Sequence, residues 1–242
     1  MNHNLILVCG KSATGKSMCL RNIPEPTGVW YLNCENNKAL PFRSKFRTFN
    51  ITDPEQVYAA FEKAEEKPEV HTIVIDSLTY LMDMFESQNV LTSTNTQKAW
   101  GEYAQFFKLL MSQYVANSTK RIVFIAHTSD LVSDDAIRET LVKVKGSLMD
   151  KGIESAFSCV VAVKTMTLRK LEDYANPLLQ ISEMDEINGY KHVFQTMKTK
   201  ETTGERMRSP LEMWDRTETF IDNDINLYFN RIAEYYSQES EE

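Results

Sequence analysis

Residues 10 to 17 combine the amino acids that bind the phosphates of a nucleotide. They read Gly-Lys-Ser-Ala-Thr-Gly-Lys-Ser and directly follow an apolar run at residues 5–9. Glycines let the backbone curl tightly around an anion, because they adopt dihedral angles that other residues avoid. Successive N–H groups of such a loop then point at the phosphates. The pattern and its position after a strand predict a P-loop, in which the nucleotide would contact Gly10, Lys11, Ser12, Ala13, Thr14, Gly15, Lys16 and Ser17.

Two side chains of this loop and one aspartate have predicted roles around the phosphates. Lys16 would reach the β- and γ-phosphates, and the Ser17 hydroxyl would bind Mg²⁺. A P-loop also needs a carboxylate for the metal at the carboxyl end of a neighbouring strand. Asp76 directly follows the apolar residues 72–75 and supplies that carboxylate. The alternative is that Asp76 only caps the helix that follows it.

Two further polar residues end predicted strands. Hydrolysis of a triphosphate needs a group that orients or activates water, and Glu35 follows the strand at residues 29–33. His127 closes the strand at residues 121–126, where it would sense the γ-phosphate and move the loop behind it. Lys16, Glu35 and His127 are therefore predicted as the catalytic residues. The alternatives are a Glu35 that is a solvated loop residue or helix cap and a His127 that is purely structural.

The composition is that of an ordinary globular protein. Of the 242 residues 42% are apolar and 25% are charged, and no run of eighteen apolar residues could span a membrane. The N-terminus lacks the pattern of a secretory signal. The formal charge of −7 predicts no globally basic surface for nucleic acid. The four cysteines show no Cys-x-x-Cys spacing, which favours reduced thiols and a cytoplasmic location.

Apolar strands alternate with helical patterns through the first half of the chain. This alternation predicts an α/β fold, with a mostly parallel central sheet and helices on both faces. The predicted strands cover residues 5–9, 29–33, 46–51, 72–75, 121–126 and 159–163, and predicted helices follow near residues 16–21, 54–64, 100–114 and 225–236.

The C-terminal half has a weaker pattern. A β-hairpin is predicted between residues 190–197 and the chain near Arg206, with its turn at Thr203-Gly204. Residues 1–242 are predicted to form one domain. Within it, residues 168–189 are a candidate insertion and residues 237–242 a frayed tail.

The order of these strand ends resembles the core of the RecA-type recombinases, and the likeness covers nearly the whole chain. In that family a run similar to Asp-Ala-Glu-His-Ala-Leu carries the catalytic glutamate, and residues 33–40 (Asn-Cys-Glu-Asn-Asn-Lys-Ala-Leu) resemble it with extra length. The family's metal strand ends in Val-Asp-Ser, which is similar to Ile75-Asp76-Ser77. The family's sensor strand ends in Asn-Gln, whereas here it ends in Ala126-His127. Within the family the chain most resembles the compact phage ATPases linked to single-strand annealing, which often carry this histidine.

The resemblance implies a RecA-like P-loop fold and an ATP site shared between neighbouring subunits of a ring or filament. Lys198 and Lys200 lie where the family has a Lys-x-Lys pair that reaches into the adjoining site. A cation there would stabilise the charge that develops on the γ-phosphate. The alternative is a solvated basic strip at the surface.

The resemblance also implies two loops that face single-stranded DNA, at residues 89–97 and 129–150. The first is rich in Ser, Thr and Asn, which can donate hydrogen bonds to phosphate oxygens. The second carries the predicted DNA-facing residues Arg138, Lys143 and Lys145, together with the acidic residues Asp130, Asp134, Asp135 and Glu139.

These expectations combine into a Mg²⁺-dependent ATPase, stimulated by DNA, that acts on single-stranded DNA in phage-type recombination, annealing, repair or replication. Its expected partners are single-stranded DNA, further copies of the chain and a single-strand-binding protein. Its expected location is the cytoplasm, including that of a phage-infected bacterial cell. An alternative from another class is a P-loop switch that binds nucleotide and a protein partner without DNA, which the acidic net charge favours. A third is a small-molecule kinase with Arg169 and Lys170 in a lid, but Glu35 and His127 would then have no explanation.

Overall fold

Nine β-strands form the centre of the protein in the part of the chain that the computed structural model describes, residues 2–132 and 138–238. The strands are β1 (Leu5–Gly10), β2 (Val29–Asn33), β3 (Arg47–Asn50), β4 (Thr72–Asp76), β5 (Arg121–Val132), β6 (Arg138–Val142), β7 (Cys159–Thr167), β8 (Tyr190–Gln195) and β9 (Phe220–Asp222).

The strands lie in the order β3-β2-β4-β5-β1-β7-β8-β9, and β6 pairs with β5 outside this path. β1 is parallel to both of its neighbours, β5 and β7, and the strands from β5 to β3 are also parallel. β8 and β9 extend the other side in antiparallel pairs. The predicted α/β fold with a mostly parallel sheet is therefore confirmed. Because parallel strands end at a common edge, residues that follow β1, β2 and β4 lie together.

The α-helices connect these strands and close the chain. They are α1 (Gln56–Glu65), α2 (Leu78–Phe85), α3 (Thr96–Leu109), α4 (Ser147–Lys151), α5 (Leu168–Leu171), α6 (Glu183–Asn188) and α7 (Ile225–Gln238), and single π-helical turns extend α2 and α3. Within the described ranges no helix is both long and apolar enough to cross a lipid bilayer.

Apolar clusters cover both faces of the sheet, as predicted. Successive residues of a strand point to opposite faces. Accordingly, Leu7 lies in one cluster with Phe61 of α1, whereas Val8 lies in the other with Phe229 of α7. Every residue of β1, β2 and β4 is buried, which is typical of parallel strands that are covered on both faces.

The prediction of the C-terminal hairpin named the wrong partner for β8. β8 pairs with β7 and with β9, rather than with the chain near Arg206 through a turn at Thr203-Gly204. β9 offers Phe220 and Ile221, both buried, to the sheet. The segment around Arg206 instead forms isolated bridges, Glu205 with Thr140 of β6 and Arg208 with Val160 of β7. Two arginines in three residues cannot be buried in the sheet as two apolar residues can.

The long loop predicted at residues 129–150 is in part a β-hairpin. β5 continues six residues beyond Ala126 and pairs in antiparallel register with β6, from Thr128 with Val142 to Val132 with Arg138. The first residues of this extension are polar and do not alternate with apolar residues. The pairing with β6 therefore rests mainly on backbone hydrogen bonds. Residues 133–137, which include Asp134 and Asp135, lie outside the described part of the chain.

Two predictions concern the segments between and after the last strands. The candidate insertion at residues 168–189 connects β7 to β8 and contains α5 and α6. The predicted frayed tail begins inside α7, which continues through Gln238, and residues 239–242 lie outside the described part of the chain.

Candidate active site

The loop at residues 10–17 has the backbone conformation of a tight cradle. Ala13 and Gly15 have positive φ angles of 62° and 92°. A Cβ atom on Gly10 would lie 2.8 Å from the backbone oxygen of Val163, so only glycine fits there. The Thr14 hydroxyl donates to the Lys11 carbonyl oxygen at 2.9 Å and closes the loop. A backbone curled in this way presents N–H groups to an anion, which suits a phosphate.

Only one turn of 3₁₀ helix, Ser17–Leu20, follows the loop, instead of the helix predicted at residues 16–21. The chain then turns through Pro24 and Pro26 toward β2. One turn aligns few peptide dipoles, and the positive charge of the cradle must come mainly from the loop N–H groups and from Lys16.

Lys16 is buried beneath the loop, with 6% of its surface exposed. Its Nζ atom donates to the Lys11 carbonyl oxygen at 2.7 Å and lies 3.4 Å from Nδ1 of His127. Burial lowers the pKa of Lys16, and the nearby carboxylates of Asp76 and Glu35 oppose that shift. The result is an ammonium group held at the wall of the cradle, where a phosphate can replace the carbonyl partner.

Asp76 and Ser17, the predicted metal ligands, are in direct contact. Oδ2 of Asp76 accepts hydrogen bonds from Oγ of Ser17 and from the hydroxyl of Tyr31, each at 2.7 Å. Burial raises the pKa of Asp76, and the two donors oppose the rise. The alternative of Asp76 as a helix cap is wrong, because Ser77 caps α2 through Tyr80 N.

The donors at this point fit Mg²⁺. In proteins Mg²⁺ is held by one or two carboxylates together with substrate phosphates and water, and its ligands are hard oxygen atoms. The hydroxyl of Ser17 and the carboxylate of Asp76 are such atoms, and they lie within hydrogen-bond distance of each other beside the cradle. The phosphates of a nucleotide in the loop would complete the set of ligands.

Glu35 lies at the same edge of the sheet and is held by two cationic or polar partners. Oε1 lies 2.9 Å from Nε2 of His127, and Oε2 lies 3.0 Å from Nζ of Lys38. The hydrogen bond from His127 and the pairing with Lys38 lower the pKa of Glu35 to about 2, although burial opposes them. Its side chain is only 11% exposed, so Glu35 is not a solvated loop residue.

The turn that follows Glu35 brings Lys38 back to it. Asn36 and Asn37 have positive φ angles of 53° and 59°, a conformation that asparagine tolerates better than most residues. The side chain of Asn33 stabilises this turn through two hydrogen bonds. It accepts one from the backbone N–H of Glu35 at 3.0 Å and donates one to the Lys38 carbonyl oxygen at 2.9 Å. The extra length of this segment relative to the RecA pattern thus forms a turn that positions Lys38.

His127 connects the P-loop to Glu35. It pairs with Gly10 in the register of β1 and β5, and its backbone N–H donates to the Thr79 hydroxyl at 3.0 Å. Its ring reaches Lys16 with one nitrogen and Glu35 with the other. β5 lies between β1 and β4, so His127 is placed beside both the P-loop strand and the aspartate strand.

A cavity of about 310 Å³ joins these groups. Its lining combines the P-loop with residues that the sequence motifs did not single out, namely Tyr31, Lys38 and His192. A larger cavity of about 420 Å³ lies behind the loop, where Gly10, Lys11 and Thr14 contribute to its wall. Most of its charged residues pair with one another, as Lys11 does with Asp130 and Lys164 with Glu205. The smaller cavity is therefore the candidate active site.

The remaining predicted residues lie elsewhere. Lys198 and Lys200 are exposed on the segment after β8, where Lys198 Nζ donates to the Thr203 carbonyl at 3.2 Å, and neither lines the candidate site. Their role in a neighbouring subunit stays a prediction. Arg169 and Lys170 begin the connection to β8 and do not line this cavity either.

The three predicted DNA-facing residues lie on or beside β6. Arg138 pairs with Asp130 across the hairpin. Lys145 donates to both carboxylate oxygens of Glu86, at 2.8 and 2.6 Å. Lys143 is exposed, and its backbone N–H donates to the His127 carbonyl at 2.8 Å. Contact with DNA stays a prediction, and carboxylates already neutralise two of the three cations.

Comparison with known proteins agrees with the class that this site defines. The family described as an AAA domain matches residues 2–208, and the chain belongs to that family. It is thus a P-loop ATPase. In its sheet β5, the strand that carries His127, lies between the P-loop strand β1 and the aspartate strand β4. No curated protein sequence matches the chain.

Among solved structures the chain is similar to the KaiC-like protein PH0186 of the hyperthermophilic archaeon Pyrococcus horikoshii OT3. The sequence identity is 11% and the TM-score is 0.42, over 85% of this chain and 83% of the other.

Proposed function

We propose that this protein hydrolyses ATP in a Mg²⁺-dependent reaction and couples the hydrolysis to single-stranded DNA, in phage-type recombination, annealing, repair or replication. The observation that supports the ATPase is the meeting of five side chains around one cradle. Ser17 contacts Asp76, and His127 contacts both Lys16 and Glu35. The DNA half rests on the resemblance to RecA-type recombinases.

Each of these side chains has a separate role in phosphoryl transfer. Lys16 binds the β- and γ-phosphates and exchanges its bond to the Lys11 carbonyl for phosphate oxygens. When bound, Mg²⁺ neutralises developing charge on the phosphates. Ser17 and Asp76 would hold it, and Tyr31 keeps Asp76 in place through its hydroxyl.

Glu35 orients the attacking water. With its pKa near 2 it is ionised at neutral pH and accepts a hydrogen bond from water readily, but it is a weak base. Its contribution is therefore to position the water and to stabilise the positive charge that develops on the water oxygen during attack, rather than to remove the proton early; the proton passes late to an oxygen of the transferred phosphoryl group. Release of one carboxylate oxygen from His127 or Lys38 provides the place for that water.

His127 can transmit the state of the γ-phosphate to the hairpin of β5 and β6. It lies on β5 itself, and its carbonyl accepts from the backbone N–H of Lys143 at 2.8 Å. A second link joins Lys11 of the P-loop to Asp130 of the hairpin at 2.6 Å. A shift of His127 or Lys11 on nucleotide binding would thus move the segment that we propose to face DNA.

The test is hydrolysis and binding by variants, with and without an oligo(dT) strand. Lys16→Ala should lose ATP binding, whereas Glu35→Gln should keep binding but lose about 100-fold or more in kcat. Lys63→Ala and Glu62→Gln on the exposed face of α1 are matched controls and should behave as wild type. Unchanged turnover in Glu35→Gln would reject its catalytic role.

The proposed coupling to single-stranded DNA is tested separately. Oligo(dT) should raise the ATPase rate of the wild type, and binding of the labelled strand should weaken steeply as salt increases. If neither occurs while ATP is still hydrolysed, the second candidate is correct: a nucleotide-dependent switch that binds a protein partner. The pairing of Arg138 with Asp130 and of Lys145 with Glu86 favours that candidate, because it neutralises two of the three predicted DNA-facing cations.

A further inference from the structure

His192 lies at the P-loop on the side away from the catalytic groups. Asp76 and His127 belong to β4 and β5 and Glu35 follows β2, all on one side of β1, whereas His192 belongs to β8, on the other side. It nevertheless lines the same cavity as Lys16 and Ser17. A nucleotide that directs its γ-phosphate at Glu35 and His127 has its other end away from them, and His192 lines the cavity from the far side of β1.

The ring of His192 packs against the loop itself. A Cβ atom on Gly15 would lie 3.3 Å from Cγ of His192 and 3.1 Å from Nδ2 of Asn223. Asn223 also donates to the Gly15 carbonyl at 2.8 Å. Gly15 is thus held between the two side chains, and His192 lies in contact with the cradle rather than at a distance from it.

The strand geometry fixes the direction of this side chain. Side chains two residues apart on a strand share a face. Phe194 of β8 packs in the same cluster as Leu20, which ends the turn after the P-loop. His192 therefore faces the side of the sheet on which the P-loop turn lies.

One nitrogen of His192 is committed and the other is available. Nδ1 lies 3.0 Å from the hydroxyl of Thr165, the residue directly opposite in the register of β7 and β8. Nε2 makes no hydrogen bond or ion pair with any residue in the ranges 2–132 and 138–238. An oriented imidazole with a free nitrogen at a nucleotide cavity can hydrogen-bond a sugar hydroxyl or a base and pack against the ring system.

We propose that His192 binds the nucleoside part of ATP, through Nε2 and through packing of its ring, and that Thr165 sets its orientation. The inference rests on the proposed nucleotide function and adds the residue that recognises the end remote from hydrolysis. His192 is in this view a binding residue and takes no part in the chemical step.

The test compares ATP and ADP with inorganic tripolyphosphate, which has the phosphates but no nucleoside. Equilibrium binding is measured with the full chain for wild type, His192→Ala, His192→Gln and Lys16→Ala. In His192→Ala the affinities for ATP and ADP should fall about tenfold, the effect of one hydrogen bond with its packing, while tripolyphosphate binds as in wild type. His192→Gln should recover part of the loss.

The controls separate this inference from the function on which it rests. Lys16→Ala should weaken all three ligands, and if the wild type binds none of them, the nucleotide function itself fails. His3→Ala makes the same change at the opposite end of β1 and should leave all affinities unchanged. If His192→Ala weakens tripolyphosphate as much as ATP, or weakens neither, the assignment to the nucleoside is overturned. Thermal melting without ligand establishes that each variant is folded.

Discussion

Nε2 of His127 lies 2.9 Å from Oε1 of Glu35, and this hydrogen bond joins β5 to the end of β2 across the intervening β4. The second nitrogen of the same ring lies 3.4 Å from Nζ of Lys16. One imidazole thus contacts both the group that would meet the γ-phosphate and the group that would meet the water. Any movement of His127 when the phosphate leaves must change the surroundings of Glu35.

The low pKa of Glu35 makes a prediction about stability and pH. The carboxyl has an ordinary value of 4.5, which applies to the unfolded chain, and a value of about 2 in the folded protein. The stabilisation from His127 and Lys38 is therefore complete above about pH 4.5 and is lost as the pH falls toward 2. Glu35→Gln should lower the free energy of unfolding at pH 7 and lower it less at pH 3.

Urea unfolding at the two pH values measures this difference. Glu62→Gln is the control, because Glu62 is exposed on α1 and its replacement should change the free energy of unfolding by less than about 0.5 kcal/mol. An equal effect of Glu35→Gln at pH 7 and pH 3 would contradict the ion-pairing described here.

The bond from Tyr31 to Asp76 should contribute more to stability than an ordinary tyrosine hydrogen bond. Tyr31→Phe removes one of two donors to a buried carboxylate and should cost about 2 kcal/mol, because bonds to charged groups are the stronger ones. Tyr58→Phe removes a bond to the neutral Phe106 carbonyl at 2.8 Å and should cost about 1 kcal/mol.

A double-mutant cycle identifies the partner of Tyr31. In an Asp76→Asn background the effect of Tyr31→Phe on the free energy of unfolding should shrink, because the charged acceptor is gone. The hydroxyl of Tyr31 would have no special role if its removal cost no more than that of Tyr58, or if the cost were the same in both backgrounds.

How far the site could be predicted depended on where each residue lies relative to a strand end. Gly10–Ser17, Glu35, Asp76 and His127 follow or close apolar runs, and parallel strands bring such positions to one edge, so the sequence sufficed to expect them together. Tyr31 and His192 lie within strands. At such positions the sequence shows only that the residue fits a buried or half-buried strand. The partner of the tyrosine hydroxyl or of the histidine ring depends on how the strands pair across the sheet.

Pairing between distant segments was the part that the sequence could not supply. β8 and β9 are joined through residues 196–219, and a turn at Thr203-Gly204 is as good a local signal as any within that stretch. The choice of Phe220 and Ile221 over Arg206 and Arg208 follows from burial, which is a property of the whole sheet. Similarly, the hairpin of β5 and β6 has polar residues on both strands and gives no alternation to detect.

The close approach of Gly10 to β7 predicts that replacing this glycine destabilises the protein. Gly10→Ala would place Cβ 2.8 Å from the Val163 carbonyl oxygen and 2.9 Å from the Thr14 hydroxyl. The loop or the strand must shift, which should cost about 1–3 kcal/mol of stability and weaken ATP binding. Gly101→Ala is the matched control, because a Cβ there meets nothing within 4 Å on α3.

In the helix, alanine should raise stability by about 0.5–1 kcal/mol, since glycine is the poorer helix former. If the cradle has the shape described, thermal unfolding should show a lower stability for Gly10→Ala and a higher one for Gly101→Ala. ATP titration should show weaker binding for Gly10→Ala only. A Gly10→Ala protein as stable and as tightly binding as wild type would contradict that shape.

The role of Lys198 and Lys200 in a neighbouring site can be tested by mixing variants. If subunits associate head to tail, the Lys198→Ala/Lys200→Ala chain keeps its P-loop but cannot complete its neighbour's site, and Lys16→Ala has the reverse defect. Each variant alone should lose at least about tenfold in kcat, as the loss of a cation near the γ-phosphate does in related reactions.

An equal mixture should regain activity, because sites form where the P-loop of the double variant meets the intact lysines of Lys16→Ala. With random assembly about one site in four has that combination, so the mixture should reach about a quarter of the wild-type rate. Lys63→Ala mixed with Lys16→Ala measures the effect of dilution alone, because Lys63 lies on the exposed face of α1. A mixture of the two defective variants that stays as inactive as its components would show that the lysines act within their own subunit or not at all, and the cation that faces the γ-phosphate would then have to be sought nearer to Glu35, where Lys38 already lies 3.0 Å away.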